Sequence, residues 1–156
     1  MNRTFLLAVA ALGSLAMLLG AYGFQHIGGL APCKMCLWQR WPHAVAVGIG
    51  LLIALTGERS LGWFGALAAA TTGAIGVYHA GVEWRWWEGP SSCTGSGTDL
   101  GAMSGADLLA MDTPVALVLC DEIVWQFLGL SMAGWNAVIS FGLAALWIIG
   151  SQRRSS

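Results

Sequence analysis

The chain has 156 residues, of which only 10% are charged while 56% are hydrophobic, and its net charge is −1. A soluble domain carries roughly 25% charged residues. The composition therefore excludes a disordered chain, a basic nucleic-acid binder and an ordinary soluble domain. One domain in a lipid solvent, spanning residues 1–156, is the expectation.

Residues 4–24 carry no charge. At about 1.5 Å per residue they cross a hydrocarbon core of roughly 30 Å. Arg3 and the Ala21-Tyr22-Gly23 triplet give this stretch a leader-like look, but its apolar run exceeds the roughly 7–15 residues of a leader core. A retained helix is expected. A second span covers 37–56 and becomes long enough if its helix begins near Cys33, which places Arg40 inside it. A third covers 61–82 and holds His79. A fourth covers 134–150, with Trp135 and Trp147 near its ends, where interfacial anchors belong. Lipid leaves an open strand's backbone unpaired, so each span must be helical. The predicted fold is an all-α integral membrane four-helix bundle.

Four spans place both termini on one side and the loops 25–36 and 83–133 on the other. Arg3, Arg59, Arg153 and Arg154 lie on the side of the termini, which predicts cytoplasmic termini. Within the long loop, residues 91–105 are rich in Gly, Ser and Thr. Residues 114–132 set Asp121 and Glu122 among Val118, Leu119, Ile123, Val124 and Trp125. That pattern predicts a short amphipathic helix on the membrane surface, or a helix packed outside it.

The four cysteines, Cys33, Cys36, Cys93 and Cys120, all fall on the outer side, where disulfides persist. Spacing favours Cys33 with Cys36, leaving Cys93 with Cys120; pairings between the two loops remain open. Pro32 suits a first helical position, which sets Cys33 at a helix N-terminus that favours a thiolate. Lys34 adds positive charge, and Arg40 lies one turn beyond Cys36 on the same face. A zinc site needs a second half that the spacing does not supply. Two structural disulfides are the stronger alternative. Arg40 either snorkels to headgroups or faces the bundle and a ligand.

His79 follows a stripe of Gly62, Gly65, Ala69, Gly73, Gly76 and Ala80, which permits close helix packing. It points into the bundle, as a ligand-facing or as a core histidine. His43 sits deeper, and Gln25 and His26 complete a polar ring. A dithiol beside a cation at headgroup depth fits a quinone. Its ring would stack near Trp38 or Trp41, and its developing anion would face Arg40.

These residues resemble the DsbB family, bacterial inner-membrane thiol:quinone oxidoreductases. The resemblance runs from the first span through the fourth. It rests on Tyr22-Gly23-Phe24-Gln25-His26, on Cys33-x-x-Cys36-x-x-x-Arg40, on the pair Cys93 and Cys120, and on the segment from Trp125 to Met132. It implies catalytic roles for Cys33, Cys36, Cys93 and Cys120. Cys93 would take the mixed disulfide with a periplasmic DsbA-like thioredoxin-fold partner. Cys120 would be released and meet Cys33, and Cys36 would become the thiolate beside the quinone. It implies a cofactor-binding role for Arg40 and for His79, with ubiquinone or menaquinone as acceptor and no metal or nucleic acid involved. A related branch serves dedicated substrates. A vitamin K epoxide reductase-like enzyme also uses four helices and two cysteine pairs, but its Cys-x-x-Cys comes late in the bundle. A membrane scaffold protein is the non-enzymatic alternative.

Overall fold

The computed structural model describes residues 2–90, 93 and 119–152. Most of them are helical. The long helices are α1 (Arg3–His26), α2 (Lys34–Thr56), α3 (Gly62–Glu83) and α4 (Met132–Gln152). A 3₁₀ turn, Arg59–Leu61, joins α2 to α3. A short antiparallel hairpin, β1 (Gln126–Phe127) and β2 (Leu130–Ser131), leads into α4.

Arg3–His26, Arg59–Glu83 and Met132–Gln152 are long and apolar enough to cross a membrane. Length and composition thus support three of the four expected spans. Helix α2 has 23 residues, but its first half carries Lys34, Gln39, Arg40 and His43, which dilute its apolar character. The distal part of α2 is uncharged and ends at Gly57, whose φ of 74° suits the left-handed position after a helix.

The helices pack in sequence, α1 on α2, α2 on α3 and α3 on α4, and α1 also lies on α4. The α3–α4 contact is the most extensive, and small residues explain why. A Cβ on Gly65 would lie 2.7 Å from the ring of the fully buried Trp147, and one on Gly76 would lie 3.0 Å from Ala133 O and Ala137 N of α4. Around Trp147, the residues Leu7, Ala10, Ile53, Ala66 and Leu143 form the apolar core. At this end Arg3 donates from Nε to Gly150 O and from Nη2 to Ser151 O, both at 2.9 Å. It thereby supplies a cation to the C-terminus of α4. Arg59 Nη2 reaches Thr4 Oγ1 at 3.3 Å. The cysteines lie at the opposite end.

The amphipathic helix expected over 114–132 is corrected in its described part. Residues 114–118 lie outside the described residues, and 119–131 hold a turn and the hairpin instead of a helix. The reason is local. Leu128 and Gly129 both take positive φ, 52° and 80°, the turn that matches the twist of paired strands. Trp135 Nε1 then donates to Phe127 O at 3.0 Å and pins the hairpin to α4. Of the apolar residues read as one helix face, Leu119, Ile123, Val124 and Trp125 fall in irregular chain ahead of β1.

Because the atoms facing Gly76 include α4 backbone, Gly76→Val is expected to cost about 1–3 kcal/mol by overpacking. A lowered Tm of the detergent-purified protein checks this. Gly20→Ala, where a Cβ meets nothing within 4 Å, is the control expected to leave Tm unchanged or slightly raised.

Candidate functional site

The four cysteines converge. Cys33, Met35, Val82, Cys93 and Cys120 form one buried cluster, with Cys36 packed against it. Cys93 and Cys120 are disulfide-bonded, with Cα atoms 5.2 Å apart. Their backbones add a hydrogen bond from Cys120 N to Cys93 O at 2.7 Å. Cys33 and Cys36 are free thiols whose sulfurs lie 3.0 Å apart. Cys33 Sγ, His79 Nε2 and the Cys120 sulfur all lie within 4.8 Å of one another.

Cys33 is the N-cap of α2, and its sulfur accepts from Cys36 N at 3.3 Å. Pro32 therefore precedes the cap, and the sequence expectation of Pro32 inside the first turn moves by two positions. The change strengthens the thiolate argument, since the capping sulfur meets a helix N–H directly. The adjacent Cys36 thiol holds Cys33 well below the ordinary thiol range, at about 4. Burial opposes this and His79 assists it.

His79 is buried behind Cys33, 3.5 Å from its sulfur. Gln39 Nε2 lies 2.9 Å from His79 Nδ1. With the Gln39 amide donating to Nδ1, the Nε2–H points at Cys33 and at Glu83 Oε1, 3.9 Å away. Glu83 is buried too, and its Oε2 has no partner.

Arg40 lies to one side, half-buried against α1. Its Nη1 donates to Gln25 Oε1 at 2.6 Å and its Nη2 to Ala21 O at 3.4 Å. Its guanidinium carbon sits 4.8 Å over the Tyr22 ring. These contacts tie its guanidinium to α1.

Cys33, Cys36, Arg40, His43, His79 and Glu83 all line one cavity of about 440 Å³. Its aromatic walls are Phe24, Trp125, Phe127 and Trp135. Trp38 and Trp41, expected to flank a ring here, do not line it; Trp41 is 75% exposed. They occupy the outward face of α2, whereas the hairpin swings Trp125 and Phe127 over the opening. At the cavity floor His43 Nε2 meets Asn136 Oδ1 at 3.0 Å. Asn136 Nδ2 donates to Thr72 O and Thr72 Oγ1, and Thr72 Oγ1 donates to Gln39 O at 3.0 Å. Sequence reasoning missed Gln39, Thr72, Glu83 and Asn136. Polar residues inside apolar spans were the available signal.

Residues 2–150 match the family described as Disulfide bond formation protein DsbB. The chain belongs to the DsbB family. Among its relatives, Disulfide bond formation protein B of Verminephrobacter eiseniae is 33% identical over 95% of this chain and 85% of its own length. That of Azoarcus sp. is 33% identical over 97% of this chain and 95% of its own. Disulfide bond formation protein B 2 of Pseudomonas aeruginosa is 32% identical over 88% and 83%. No solved structure matches the chain. Membership of the DsbB family, with three helices able to cross a membrane, makes this a membrane protein of disulfide bond formation.

The depressed Cys33 value sets a pH dependence in this DsbB-family chain. A thiol lowered on folding keeps its charged form above that value and loses it as pH falls through about 4. In a reduced Cys93→Ser/Cys120→Ser protein, thiolate absorbance is expected to persist down to that region. Adding Cys36→Ser removes the largest cause and is expected to return the titration toward the ordinary thiol range.

Proposed function

We propose that the protein is a membrane thiol:quinone oxidoreductase. It takes two electrons from the dithiol of a periplasmic thioredoxin-fold partner of the DsbA type and passes them to ubiquinone or menaquinone. The observation that supports this most is a Cys33–Cys36 thiol pair and Arg40 lining one apolar cavity, with the Cys93–Cys120 disulfide packed against Cys33.

The residues present suit a quinone headgroup. About 440 Å³ falls in the range of small-molecule pockets, roughly 300–1,000 Å³. Arg40 and His43 line it, and each carries a buried nitrogen without a partner, Arg40 Nε and His43 Nδ1. A bound quinone supplies a two-electron, two-proton sink. Arg40, held by Gln25, Ala21 O and Tyr22, fixes a positive charge where negative charge develops. His79 and Gln39 keep a donor on Cys33. Phe24, Trp125 and Trp135 exclude water from the ring site.

The thiol chemistry balances. A partner thiolate attacks Cys93 and breaks its bond to Cys120. The second partner thiol then closes the partner's own disulfide and frees Cys93. Cys120 attacks Cys33 of an oxidised Cys33–Cys36 bond and releases Cys36 as a thiolate. Cys93 next displaces Cys33 from Cys120. The result is a Cys93–Cys120 disulfide facing a Cys33–Cys36 thiol pair, the arrangement of sulfurs in this structure. Oxidation of that pair completes the cycle, so one dithiol and one quinone become one disulfide and one quinol.

In this reading all four helices cross the bacterial inner membrane, with α2 accepted because its polar half faces the cavity. The cysteine end faces the periplasm and the Arg3 and Arg59 end the cytoplasm. Trp84, Trp86 and Trp87 after α3 suit the outer interface.

Purified protein given a reduced DsbA-type partner and a short-chain ubiquinone or menaquinone is expected to reduce the quinone. Cys33→Ser and Cys36→Ser should abolish turnover. Arg40→Ala should raise the quinone KM about tenfold or more, the scale of a lost charge-assisted hydrogen bond. Absence of turnover with either quinone would overturn the proposal, and an unchanged KM would remove Arg40 from the site.

A further inference from the structure

The sulfurs carry a second chemistry besides exchange. We propose that, once the Cys93–Cys120 bond is reduced, Cys33, Cys36, Cys120 and His79 form a binding site for a soft divalent metal ion such as Zn²⁺, and that the bound ion arrests thiol exchange.

The donor atoms are already assembled. Cys33, His79 and Cys120 offer theirs within 4.8 Å of one another, and all three residues are buried. Cys36 Sγ adds a fourth, 3.0 Å from Cys33 Sγ. In a tetrahedral zinc site, with bonds of about 2.3 Å to sulfur and 2.0–2.1 Å to nitrogen, ligand atoms stand roughly 3.4–3.8 Å apart. The Cys33–His79 separation of 3.5 Å already meets that spacing. Cys120 Sγ needs to close by up to about an ångström, and Cys36 Sγ, which lies outside that group, has to swing in by rotating its side chain. Three cysteine sulfurs and an imidazole form a donor set that selects zinc-like ions over magnesium or calcium.

The surroundings favour the ion as well. A ligating His79 Nε2 must carry its proton on Nδ1. Gln39 sits 2.9 Å from that atom, and by turning its terminal amide it accepts the Nδ1–H, as the outer partners of metal-bound histidines do. Glu83, whose Oε2 is buried without a partner, sets a carboxyl group 3.9 Å from the ring.

The site is redox-gated. In a fully oxidised chain every sulfur is spent in a disulfide and offers no thiolate. A dithiol that reduces Cys93–Cys120 becomes a disulfide itself and leaves Cys120 free to ligate. Metal binding then displaces the thiol protons. Cys93 stays outside the ligand set, which separates this site from simple capture by any pair of cysteines.

Cobalt titration of the full chain in detergent, reduced with dithiothreitol and then freed of it anaerobically, tests the proposal. One Co²⁺ per chain is expected, with sulfur-to-cobalt charge-transfer bands and tetrahedral d–d bands that Zn²⁺ abolishes. The oxidised chain should show neither. Cys120→Ser and His79→Gln should each weaken binding by at least about tenfold, the scale carried even by supporting partners of metal ligands. Cys93→Ser should retain it. Because Cys120→Ser and Cys93→Ser break the same disulfide, their difference is not a folding effect. Equal affinity in those two variants, or no charge-transfer band in the reduced wild-type chain, would overturn the site. The arrest is read separately, as loss of quinone reduction on adding Zn²⁺ and recovery on chelation. Activity that Zn²⁺ leaves untouched would overturn that half. The cobalt spectra need no quinone, so they stand or fall apart from the proposed oxidoreductase activity.

Discussion

The close approach of α3 to its neighbours is the constraint on which the site depends. Lipid tails are as apolar as leucine, so helices in a membrane gain little by burying apolar side chains and associate through close packing and polar contacts. Gly76 brings α3 against the α4 backbone, and Gly65 makes room for the Trp147 ring. One turn beyond Gly76 stands His79, and one turn beyond that Glu83. Their reach to Cys33, at the head of α2, follows from that approach. A bulkier stripe would part α3 from α4 and shift His79 away from the sulfurs. The chemistry at one end of the molecule is thus set by missing side chains along its middle.

The same closeness forces the polar groups to account for themselves. Thr72 O can only accept, so the Asn136 nitrogen faces it and the Asn136 oxygen faces His43. His43 must then carry its proton on Nε2 to donate at 3.0 Å. Its Nδ1 is left as an acceptor, buried and partnerless, on a residue that lines the cavity. Arg40 Nε, also partnerless, is a donor. One wall therefore offers a fixed cationic donor and another a neutral acceptor. That pair suits a ligand which is carbonyl at one moment and hydroxyl at another.

Much of this was legible in the sequence, for physical reasons. Long uncharged runs have few fates, and they marked α1, α3 and α4 within a few residues. The spacing of Cys33, Cys36 and Arg40 put all three on one helical turn and the next, and the glycine stripe turned His79 inward. What stayed hidden depends on which neighbour a face meets. Periodicity shows that Gln39 and Thr72 share apolar helices, but not that one bonds His79 and the other Asn136. Trp38 and Trp41 sit near the cysteines in sequence, yet α2 turns Trp41 outward, and the walls come from Phe24, Trp125 and Trp135. The hairpin was hidden because Leu128, a poor candidate for positive φ, shares its turn with Gly129. Apolar periodicity outweighed that single glycine.

The scarcity of charge acquires a sharper meaning at Arg40. A cation inside a span is expected to find an anion or a backbone carbonyl. Among the described residues no carboxylate pairs with Arg40, although the cavity it lines also includes the carboxylates of Glu83 and Glu122. Instead its hydrogen bonds go to a neutral amide and a carbonyl, and its flat face rests on Tyr22. Those partners orient the guanidinium without cancelling its charge. A carboxylate in their place would give more local stability and leave the field at the cavity near zero. On the proposed function, that unneutralised cation lines the same cavity as Cys36. A neutral molecule that becomes an anion there gains its stabilisation only as it is reduced, which is how a fixed charge favours a transition state over a ground state.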